Sequence, residues 1–590
     1  MKRIRYYIAL FCFMAAFQLP ALARDVVTDT EISGIVYQTA TGKPLAGAQV
    51  SIPGVASATT SEDGMYRLRR SFGSAVLLVK APGFVTKQIP VKGRTNIDIW
   101  MIDDSFNDNY GEIVLPFVKK DKLKTTQSVS GHANRRDYQT GSVTVENILQ
   151  SSVNGLNTVS RSGMPGAGAN LFLNGINSIH STNQPLIVVD GLIYDNQPYF
   201  SLIGGNVNSA LSDIAVHDID NITVLKDGTS IYGSKGANGV ILINTIQARE
   251  AATRIDFHAY SGVNFEPDTK YKMMDAWSYK TYLTDMLLSQ GMSSSDIQAL
   301  PYINQEKPVI ENWGVSGNKD YYRYNQQTDW QDEVFRSSIN SNYHVNITGG
   351  NENTLFAFGV GYLGHEGLVE NTSFNRYSTR ANAKIKMTDW FRLNANVSFV
   401  YSERDLKFEG MSRNYNPVLA GLIKAPFTSA YVYNMLGEET PNFEGVDVFN
   451  ISNPKVLTDN SSSENNRFRF FGGLNAEIRF SPYLKADLIF GLTSDKVTRE
   501  RVFLPNAGIY HTALASGEIT NQSQQLRNSF SLVNTEGVLS YTRNFDNLHD
   551  LTARLGSRIL NGKNELDWGK AYNTSSDEMQ TLGDGRNTLA

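Results

Sequence analysis

The sequence predicts a mainly β protein, in which a small β-sandwich is followed by an α/β domain and then by part of an antiparallel transmembrane β-barrel. Short apolar runs separated by turn residues occupy residues 31–102. Mixed helix-like and strand-like runs follow in residues 120–246. From residue 254 onward, strands of about ten residues have one apolar and one polar face, as barrel strands around a polar interior do.

The first 23 residues have the pattern of a secretory signal peptide. Three basic residues precede the apolar run YYIALFCFMAAF, and Pro20 and the small-residue stretch ALA follow it. The run is too short to cross a bilayer, which takes about 20 apolar residues. Cleavage near Ala23 would remove Cys12, the single cysteine. We therefore expect a mature chain without disulfides, thiolate metal sites or a cysteine nucleophile.

The charge balance argues against a nucleic-acid partner. The chain has 54 Lys and Arg against 58 Asp and Glu, a formal net charge of −4. Loss of the three basic residues in the signal peptide would change it to −4 − 3 = −7. Nucleic-acid-binding domains carry a basic excess, and this chain has none. An exported chain that is rich in Gly and aromatic residues and free of disulfides is typical of a β-protein of the bacterial envelope.

Residues 31–102 predict the β-sandwich. The runs ISGIVY, AQVSI, MYRLRR, AVLLVK, FVTKQIPV and NIDIWM resemble strands, and turn residues separate them. Short strands at this spacing favour two packed sheets. The residues that we assign to their core are Ile35, Val50, Tyr66, Leu77, Phe84 and Ile97. The region shows no combination of acid, base and nucleophile, so we predict no catalytic site in it.

Residues 103–119 are predicted to be a linker that carries an isolated apolar patch. Residues 103–111 are acidic and rich in Asn, which is typical of a flexible segment. The patch consists of Glu112, Ile113, Val114, Leu115, Pro116 and Phe117. Two interpretations stay open. It is either a strand that completes a neighbouring domain or an extended segment that adds to the sheet edge of a partner.

The stretch VLKDGTSIYGSKGANGVILINT, which ends at Thr245, begins like a phosphate-binding loop. Gly228 and Gly233 have the required spacing, but a serine stands where the lysine is needed. The strand-like run GVILINT follows in place of a helix, so the free N–H groups that hold a phosphate are absent. We therefore predict no nucleotide, no other cofactor and no metal site. The glycines that we assign to tight turns or close backbone packing are Gly191, Gly233, Gly236 and Gly239.

Several segments, in order along the chain, resemble those of TonB-dependent outer-membrane receptors of the SusC/RagA type. The glycine-rich stretch resembles the end of their plug domain, and SGMPGAGANLFLNGINSIHSTNQPLIVVDGLIY and LSDIAVHDIDNITVLKD resemble the parts before it. TDWQDEVFR, NITGGNENT and GYLGHEGLVENTSFNRYSTRAN resemble the first barrel strands. The sandwich is similar to the carboxypeptidase-regulatory-like extension of these receptors. The resemblance extends from residue 31 to about residue 400.

The resemblance implies five segments. These are a signal peptide (1–23), a regulatory-like sandwich (31–102), a linker with the TonB box (103–119), a plug (120–246) and the N-terminal part of a barrel (254–590). It implies that residues 112–117 are the TonB box, exposed to the periplasm and free to extend. Pro116 is unusual in a TonB box. Because proline has no backbone N–H, the segment would lack one hydrogen-bond donor when it adds to the sheet of a partner.

The same resemblance implies a nutrient importer of the outer membrane with no enzymatic activity of its own. A surface lipoprotein of the SusD type would close over it as a lid. Inner-membrane TonB, driven by ExbB–ExbD, would pull on the TonB box, and outer-membrane lipid would surround the barrel. The cargo would be an oligosaccharide or a peptide, and the residues that bind it are not identified by the sequence.

Two other functions fit part of the sequence. One is a secreted or surface hydrolase, because regulatory-like sandwiches also accompany hydrolases. The other is an adhesive surface protein. The motifs H-E-x-x-H and G-x-S-x-G are missing, and the pair His365-Glu366 lacks a second histidine. We interpret the pair Asp103-Asp104 as solvated linker charge rather than as catalytic carboxylates.

The number of predicted strands is low for a receptor of this type. Plugged outer-membrane transporters have about 22 strands, whereas alternation identifies about ten after residue 254. A barrel of about ten strands is too narrow to hold a folded plug. We therefore expect a plug that lies against an incomplete, curved sheet with unpaired edge strands.

Overall fold

The computed structural model describes residues 29–589 with several gaps. Outside the described residues lie 1–28, 40, 53–54, 72–75, 85, 92, 103–111, 116–117, 122–128, 135–142, 151–152, 195–200, 205–208, 248–250, 267–271, 312–313, 352, 514–516, 546–548 and 590. The predicted signal peptide, Pro116 and Phe117 are therefore outside them. The chain divides into two compact units, one formed mainly by the residues before Glu112 and the other by Glu112–Arg249 with Thr253–Ala590.

The first unit contains two sheets that pack on one core. Its strands are β1 (Asp29–Gln38), β2 (Gln49–Ile52), β3 (Ala56–Thr59), β4 (Met65–Ser71), β5 (Val76–Lys80), β6 (Lys87–Pro90) and β7 (Ile99–Met101). One sheet has the order β4-β1-β7 and the other the order β3-β2-β5-β6. Buried apolar side chains from both sheets form the core, and the hydroxyl of Tyr66 donates to the carbonyl oxygen of Ile97 at 2.8 Å.

Most of the predicted sandwich core is confirmed, and one residue was wrong. The predicted core residues that are buried are Val50, Tyr66, Leu77 and Ile97, with Phe84 partly buried beside them. Ile35 instead lies on the outer face of β1, because the pleat of that strand turns Ile32 and Val36 inward. Gly34 shares their inward side, where the carbonyl oxygen of Ile97 occupies the space that a Cβ would need.

The second unit begins with the end of the predicted linker and continues into the plug. Its described elements are β8 (Glu112–Leu115), β9 (Val118–Asp121), β10 (Val129–Asn134), α1 (Val145–Leu149), β11 (Leu156–Ser160), β12 (Ala169–Leu173), β13 (Leu186–Val189), β14 (Leu192–Tyr194), β15 (Ile219–Leu225), α2 (Thr229–Tyr232) and β16 (Val240–Thr245). Five strands form a sheet in the order β10-β15-β16-β13-β14, in which β13 and β16 are parallel. Two separate hairpins pair β8 with β9 and β11 with β12. Buried side chains from α1 and from strands β11 to β16 form most of the plug core.

The largest sheet, which we call the wall, has ten described strands. These are β17 (Ala251–Asn264), β20 (Ser338–Gly350), β21 (Thr354–Glu366), β22 (Ser373–Lys386), β23 (Phe391–Asp405), β26 (Ser462–Arg479), β27 (Leu484–Leu504), β28 (Gln522–Phe545), β29 (His549–Thr574) and β30 (Gly585–Leu589). Their order in the sheet is their order along the chain. Smaller elements lie in the connections: α3 (Ala276–Ser289), α4 (Ser294–Ala299), β18 (Val309–Glu311), β19 (Gly314–Ser316), α5 (Tyr321–Tyr324), α6 (Pro417–Ile423), β24 (Tyr431–Tyr433), β25 (Glu439–Phe443) and α7 (Pro454–Asp459).

The two ends of the wall differ in their connections. Short turns join the strands at one end, including those at residues 387–390 and 480–483. Long connections join them at the other end, and the two longest, residues 265–337 and 406–461, fold together into what we call the loop layer. Short turns at one end and long loops at the other are the arrangement of an outer-membrane barrel.

The wall has an apolar outer face and a polar inner face, as the alternation predicts. On β23, Phe399 is exposed on the outside, whereas Ser402 and Arg404 are buried on the inside. Among the described strands, β17 and β30 each have one neighbour, so the sheet is open at both sides. None of the described helices combines the length and apolar character needed to cross a membrane. The predicted fold class, mainly β with a sandwich, a plug and barrel strands, is confirmed.

Candidate functional site

The plug lies against the polar inner face of the wall, and the charged groups at this contact form the candidate functional site. The plug contributes a turn segment, residues 209–218, that contains two short 3-10 helices. Ser209 caps the first of them, because its hydroxyl accepts the N–H of Leu211 at 3.1 Å. Two aspartates of this segment, Asp213 and Asp218, reach side chains of the wall.

Asp213 is the centre of a buried group of charges, which we call the anchor cluster: Asp213, Arg404, Arg467, Arg469 and Asp495. The carboxylate of Asp213 lies 3.2 Å from Nη1 of Arg467 and 3.6 Å from Nε of Arg469. Nη2 of Arg404 is 4.0 Å away. Asp495 accepts a hydrogen bond from Nη2 of Arg469 at 2.5 Å and also pairs with Arg467. All five side chains are at most 3% exposed, so three wall strands enclose one plug aspartate.

Arginines of the wall also bond the plug backbone. Arg376 of β22 donates to the carbonyl oxygens of Ser212 at 2.6 Å and of Ile214 at 3.2 Å. Arg404 donates to the hydroxyl of Ser212 at 2.5 Å. With Arg376 included, four arginines surround the two aspartates of the anchor cluster. The carbonyl oxygens of the plug therefore offset part of the excess positive charge of the four arginines. Removal of one aspartate carboxylate would leave guanidinium groups without a compensating negative charge.

Asp218 makes the second charged contact between plug and wall. Its Oδ1 lies 3.1 Å from Nε2 of His344 and 3.4 Å from Nε of Arg380. Arg380 also donates to the hydroxyl of Thr245 at 2.6 Å and to the carbonyl oxygen of Ile246 at 2.9 Å. Burial raises the pKa of the Asp218 carboxyl, but the nearby Arg380 and His344 lower it by a larger amount. The pKa of Asp218 therefore lies below its usual value. Asp218 is therefore ionised at neutral pH.

A hairpin of the plug fits a glycine-lined notch in the wall. The turn between β13 and β14 contains Asp190 and Gly191, whose φ angles are 48° and 86°. The next residue, Leu192, reaches the wall at Gly473 and Gly491. A Cβ on Gly491 would lie 2.7 Å from Cδ2 of Leu192, and one on Gly473 would overlap Cδ1. Only glycine at these wall positions leaves room for the leucine.

The plug also touches the loop side of the wall. The hydroxyl of Ser201 and the N–H of Leu202 both donate to Oε1 of Glu500, at 2.7 and 2.8 Å. Leu202 and Ile203 are buried in an apolar cluster with Val502 and with side chains from the loop layer. The plug is therefore tied both to the barrel strands and to the long connections.

A cavity of about 40 Å³ remains between plug and wall. Its polar lining includes Asp190, Asp213, Asp218, Arg380, Asn382 and Asn396. A buried water needs about 10–15 Å³ and several polar partners, so the cavity has room for about three waters. The contact between plug and wall is thus polar enough to be hydrated.

The predicted TonB box forms part of a hairpin, as far as it is described. Glu112 is paired with Asp121 in the antiparallel register of β8 and β9. Pro116 and Phe117, which complete the predicted box, lie outside the described residues. The described part of the segment that we expected to be free and extended is therefore a strand whose partner is the chain's own β9.

The predicted turn glycines lie apart from the anchor cluster. Gly191, Gly233 and Gly239 have φ angles of 86°, 60° and 85°. Gly236 packs on Gly228, whose carbonyl carbon would lie 2.7 Å from an added Cβ. The glycine-rich stretch leads into β16, although the single helical turn α2 precedes it, which the sequence did not predict. Positive φ and close backbone approach both require glycine at these places.

The anchor cluster was not predicted from the sequence, although a signal for it exists. In the run RFRF, Arg467 and Arg469 fall on the polar face of a strand that is otherwise suited to lipid. Charged side chains are costly in a membrane-spanning segment unless they face inward and are paired. Two arginines in alternate positions therefore indicate a buried anionic partner, but not which one.

Two family models match the chain. The TonB-dependent Receptor Plug Domain matches residues 121–240, and the Carboxypeptidase regulatory-like domain matches residues 31–101. A TonB-dependent receptor SusC from Bacteroides thetaiotaomicron is 26% identical over 472 residues, which are 76% of this chain and 42% of that protein. The chain is similar to the SusC/RagA-type TonB-dependent receptors.

Other relatives show the same similarity. The TonB-dependent receptor P3 of Formosa agariphila is 27% identical, over 93% of this chain and 50% of that protein. A solved structure of the RagAB peptide importer in an open-open state has the same fold, with a TM-score of 0.62 and 19% identity over 81% of this chain and 52% of that one. The chain spans about half the length of the curated relatives it matches. The relatives named here are receptors and transporters, and none of them is named as an enzyme.

Proposed function

We propose that the chain is the SusC-like subunit of a TonB-dependent importer that takes up oligosaccharides or peptides through the outer membrane. A SusD-like surface lipoprotein would be its partner, and TonB with ExbB–ExbD would supply the energy. The observation that carries this proposal is the attachment of the plug to the wall by the buried charges of the anchor cluster. An importer needs a plug that is held firmly at rest and released under an applied force.

Buried ion pairs suit this task because their strength depends on the surrounding dielectric. Two unit charges 4 Å apart attract with about 4 kcal/mol at an effective dielectric constant of 20, and with about 1 kcal/mol in bulk water. The anchor cluster is therefore strong while it is dry and weak once water reaches it. The cavity beside Asp213 and Asp218 gives that water a place to enter when the plug begins to move.

The outer face of the wall supports the location in a membrane. A row of tyrosines crosses β20 to β23, with neighbouring ring centroids 5.2–6.4 Å apart: Tyr343, Tyr362, Tyr377 and Tyr401. Phe391 and Trp390 lie at the other end of β23. Phe391 is 401 − 391 = 10 residues from Tyr401 along the strand. Ten residues span about 33 Å along a strand. At a tilt of about 40° this becomes about 25 Å, the height of the apolar band of an outer-membrane barrel.

The position of β8 supports coupling to TonB through residues 112–117. This segment directly precedes the part of the chain that matches the plug family. Among the described strands, β8 pairs with β9 alone, so its second edge is open to an added strand. A force applied to β8 would act on β9 first and then on the plug.

We also propose that the ten described strands form part of a larger wall. Unpaired backbone groups cost several kcal/mol each in lipid, and both β17 and β30 expose such an edge. The matched plug region of residues 121–240 is also too large for the lumen of about ten strands. Further strands beside β17 and β30 would remove both edges and widen the lumen.

Deletion of residues 112–117 tests the import function. In cells that carry the receptor, its lipoprotein and TonB, we expect the deletion to abolish growth on the oligosaccharide or peptide that the wild type uses, while surface binding of that nutrient persists. A matched deletion of residues 103–108, in the same linker, should leave growth unchanged. Growth at the wild-type rate without residues 112–117, or without TonB, would refute the coupling and favour an adhesive surface protein.

A further inference from the structure

Three histidines that are distant in the sequence meet where the plug touches the wall. His217 lies in the turn segment of the plug, His258 on β17 and His344 on β20. The ring of His217 stacks on that of His258, with centroids 5.1 Å apart and an angle of 11° between the planes. Its centroid is also 5.7 Å from that of His344. One plug histidine is therefore in contact with two histidines of the wall, and we call these three residues the histidine cluster.

The wall fits closely around the histidine cluster. His344 is buried, and a Cβ on Gly361 of β21 would lie only 2.5 Å from its Nδ1. Glycine at that position therefore leaves the space that the imidazole ring occupies. On the plug side, the carbonyl oxygen of His217 accepts a hydrogen bond from Nδ2 of Asn346 at 3.3 Å. Because both sides are held in this way, the rings can separate only when the plug moves away from the wall.

The charges around the histidine cluster balance one proton but not three. The described charged side chains near it are Asp218 and Asp220 on the plug, Arg380 on β22, and Asp256 with Arg254 on β17. Oδ1 of Asp218 lies 3.1 Å from Nε2 of His344, so this carboxylate compensates a proton on that ring. Three carboxylates and two guanidinium groups leave 3 − 2 = 1 negative charge. A second and a third proton would therefore make this part of the contact positive.

The arrangement of the rings favours protons over a metal ion as the ligand of the cluster. The stacked rings of His217 and His258 present their faces to each other, whereas a metal ion needs nitrogen atoms that point to one centre. Among the described residues, no group of three histidine, cysteine or acidic side chains could hold a metal ion. Imidazole is also the side chain whose charge changes most readily between about pH 5 and pH 8.

Protonation would turn the stack of rings into a contact between like charges. In a detached plug the three rings are in water, and each takes up a proton as the pH falls below about 6.5. In the attached plug, a charge on His217 would lie 5.1 and 5.7 Å from charges on the other two rings, and like charges at this distance repel. Asp218 stays ionised in this pH range, because its pKa lies below its usual value. The detached plug therefore binds as many as two more protons, and attachment weakens as the pH falls.

We propose that the histidine cluster is a pH-sensitive switch, which keeps the plug on the wall at neutral pH and weakens this attachment in a mildly acidic medium. The switch lies entirely within the contact between plug and wall. It involves neither the cargo nor the lipoprotein nor TonB, so it goes beyond the import proposal and can be tested separately from it. In an importer, it would lower the force that releases the plug when the surroundings become acidic.

Plug opening in the purified full chain, measured as a function of urea at about pH 7.5 and about pH 5.5, tests this switch. A cysteine in place of Val188, which is buried on β13, reports opening through its reaction with a pyridyl disulfide, a reagent that is active at both pH values. If one or two extra protons bind on opening, the open fraction should rise about 10- to 100-fold between the two pH values. With a urea dependence of about 2 kcal/mol per M, the midpoint of labelling should then fall by about 0.7–1.4 M.

Three variants show whether the histidine cluster causes this change. His217→Gln removes the ring that contacts both others, so we expect its midpoint to fall by less than about 0.3 M, which corresponds to about threefold. His258→Gln removes one of the two ring contacts and should show about half of the wild-type fall. The control is His180→Gln, which removes an exposed plug histidine in the connection between β12 and β13 and should behave as the wild type does.

Other results overturn the inference. A wild-type midpoint that is the same at both pH values would exclude the switch, and so would an equal fall in His217→Gln and the wild type. A fall in His180→Gln that is as small as in His217→Gln would show that the effect does not come from the cluster. Heat-modifiable migration in gels shows whether the variants are folded, and His258→Gln decides the question if His217→Gln is not. Loss of the switch combined with growth that still requires residues 112–117 would leave the import function in place.

Discussion

Replacing Asp213 by Asn removes one charge from the anchor cluster and keeps the size of the side chain. Arg404, Arg467 and Arg469 then share one aspartate, Asp495, in a site that is almost closed to water. Removal of one partner from a buried ion pair costs about 3–5 kcal/mol. At about 1.4 kcal/mol per factor of ten, the detached plug becomes roughly 140- to 3,700-fold more populated.

A single reporter cysteine measures this change, because the mature chain is expected to have no cysteine of its own. Val188→Cys places a thiol on β13 of the plug at a position that is 1% exposed, so maleimide should react with it only after the plug opens or detaches. With a urea dependence of about 2 kcal/mol per M, the midpoint of labelling should fall by about 1.5–2.5 M in Asp213→Asn. The control is Asp227→Asn, in an exposed turn where the carboxylate accepts the N–H of Thr229 at 2.9 Å.

The comparison with the control decides whether the charges hold the plug. A midpoint in Asp213→Asn that falls no further than in Asp227→Asn would show that apolar contacts, such as that of Leu192, carry the attachment, and the electrostatic reasoning would be wrong. Adding Arg467→Met to Asp213→Asn should recover part of the lost stability, because it reduces the uncompensated positive charge and fills the space with an apolar side chain.

Two more predictions use the same contact. The lowered pKa of Asp218 means that its ionised form stabilises the attached plug above the unfolded pKa of about 3.9, and that this contribution is lost as the pH falls below that value. Pepsin cleavage within the plug should therefore rise more steeply between about pH 5 and pH 3 in the wild type than in Asp218→Asn, and equal slopes would contradict the role of Arg380 and His344. Gly473→Val should displace Leu192 and lower the stability of the attached plug by about 1–3 kcal/mol, which Leu192→Ala in the same chain should partly restore. A labelling midpoint in Gly473→Val equal to that of the wild type would show that the hairpin does not depend on the notch.

Strand β23 shows which structural features can be predicted from the local sequence pattern. The alternation of apolar and polar residues from Phe391 to Tyr401 is enough to tell which side chains face outward, because the side-chain period of a strand is two and does not depend on the neighbouring strands. The same rule failed at Ile35, where the run ISGIVY is compatible with either phase. Which residues of this strand face the core depended on the carbonyl oxygen of Ile97, because it leaves room for nothing larger than Gly34 on the inner side.

By itself, the amino-acid sequence determined the fold class, the faces of the barrel strands and, through ordered segments, the type of receptor that the chain resembles. Only the tertiary structure decided that Asp213 meets Arg467, which lies 467 − 213 = 254 residues later. It likewise decided that His217 meets His258 and His344. Charge and strand phase are local properties that can be read along the chain. Which charges meet depends instead on how far the plug is turned and shifted inside the wall, and many weak contacts between distant segments set that position together.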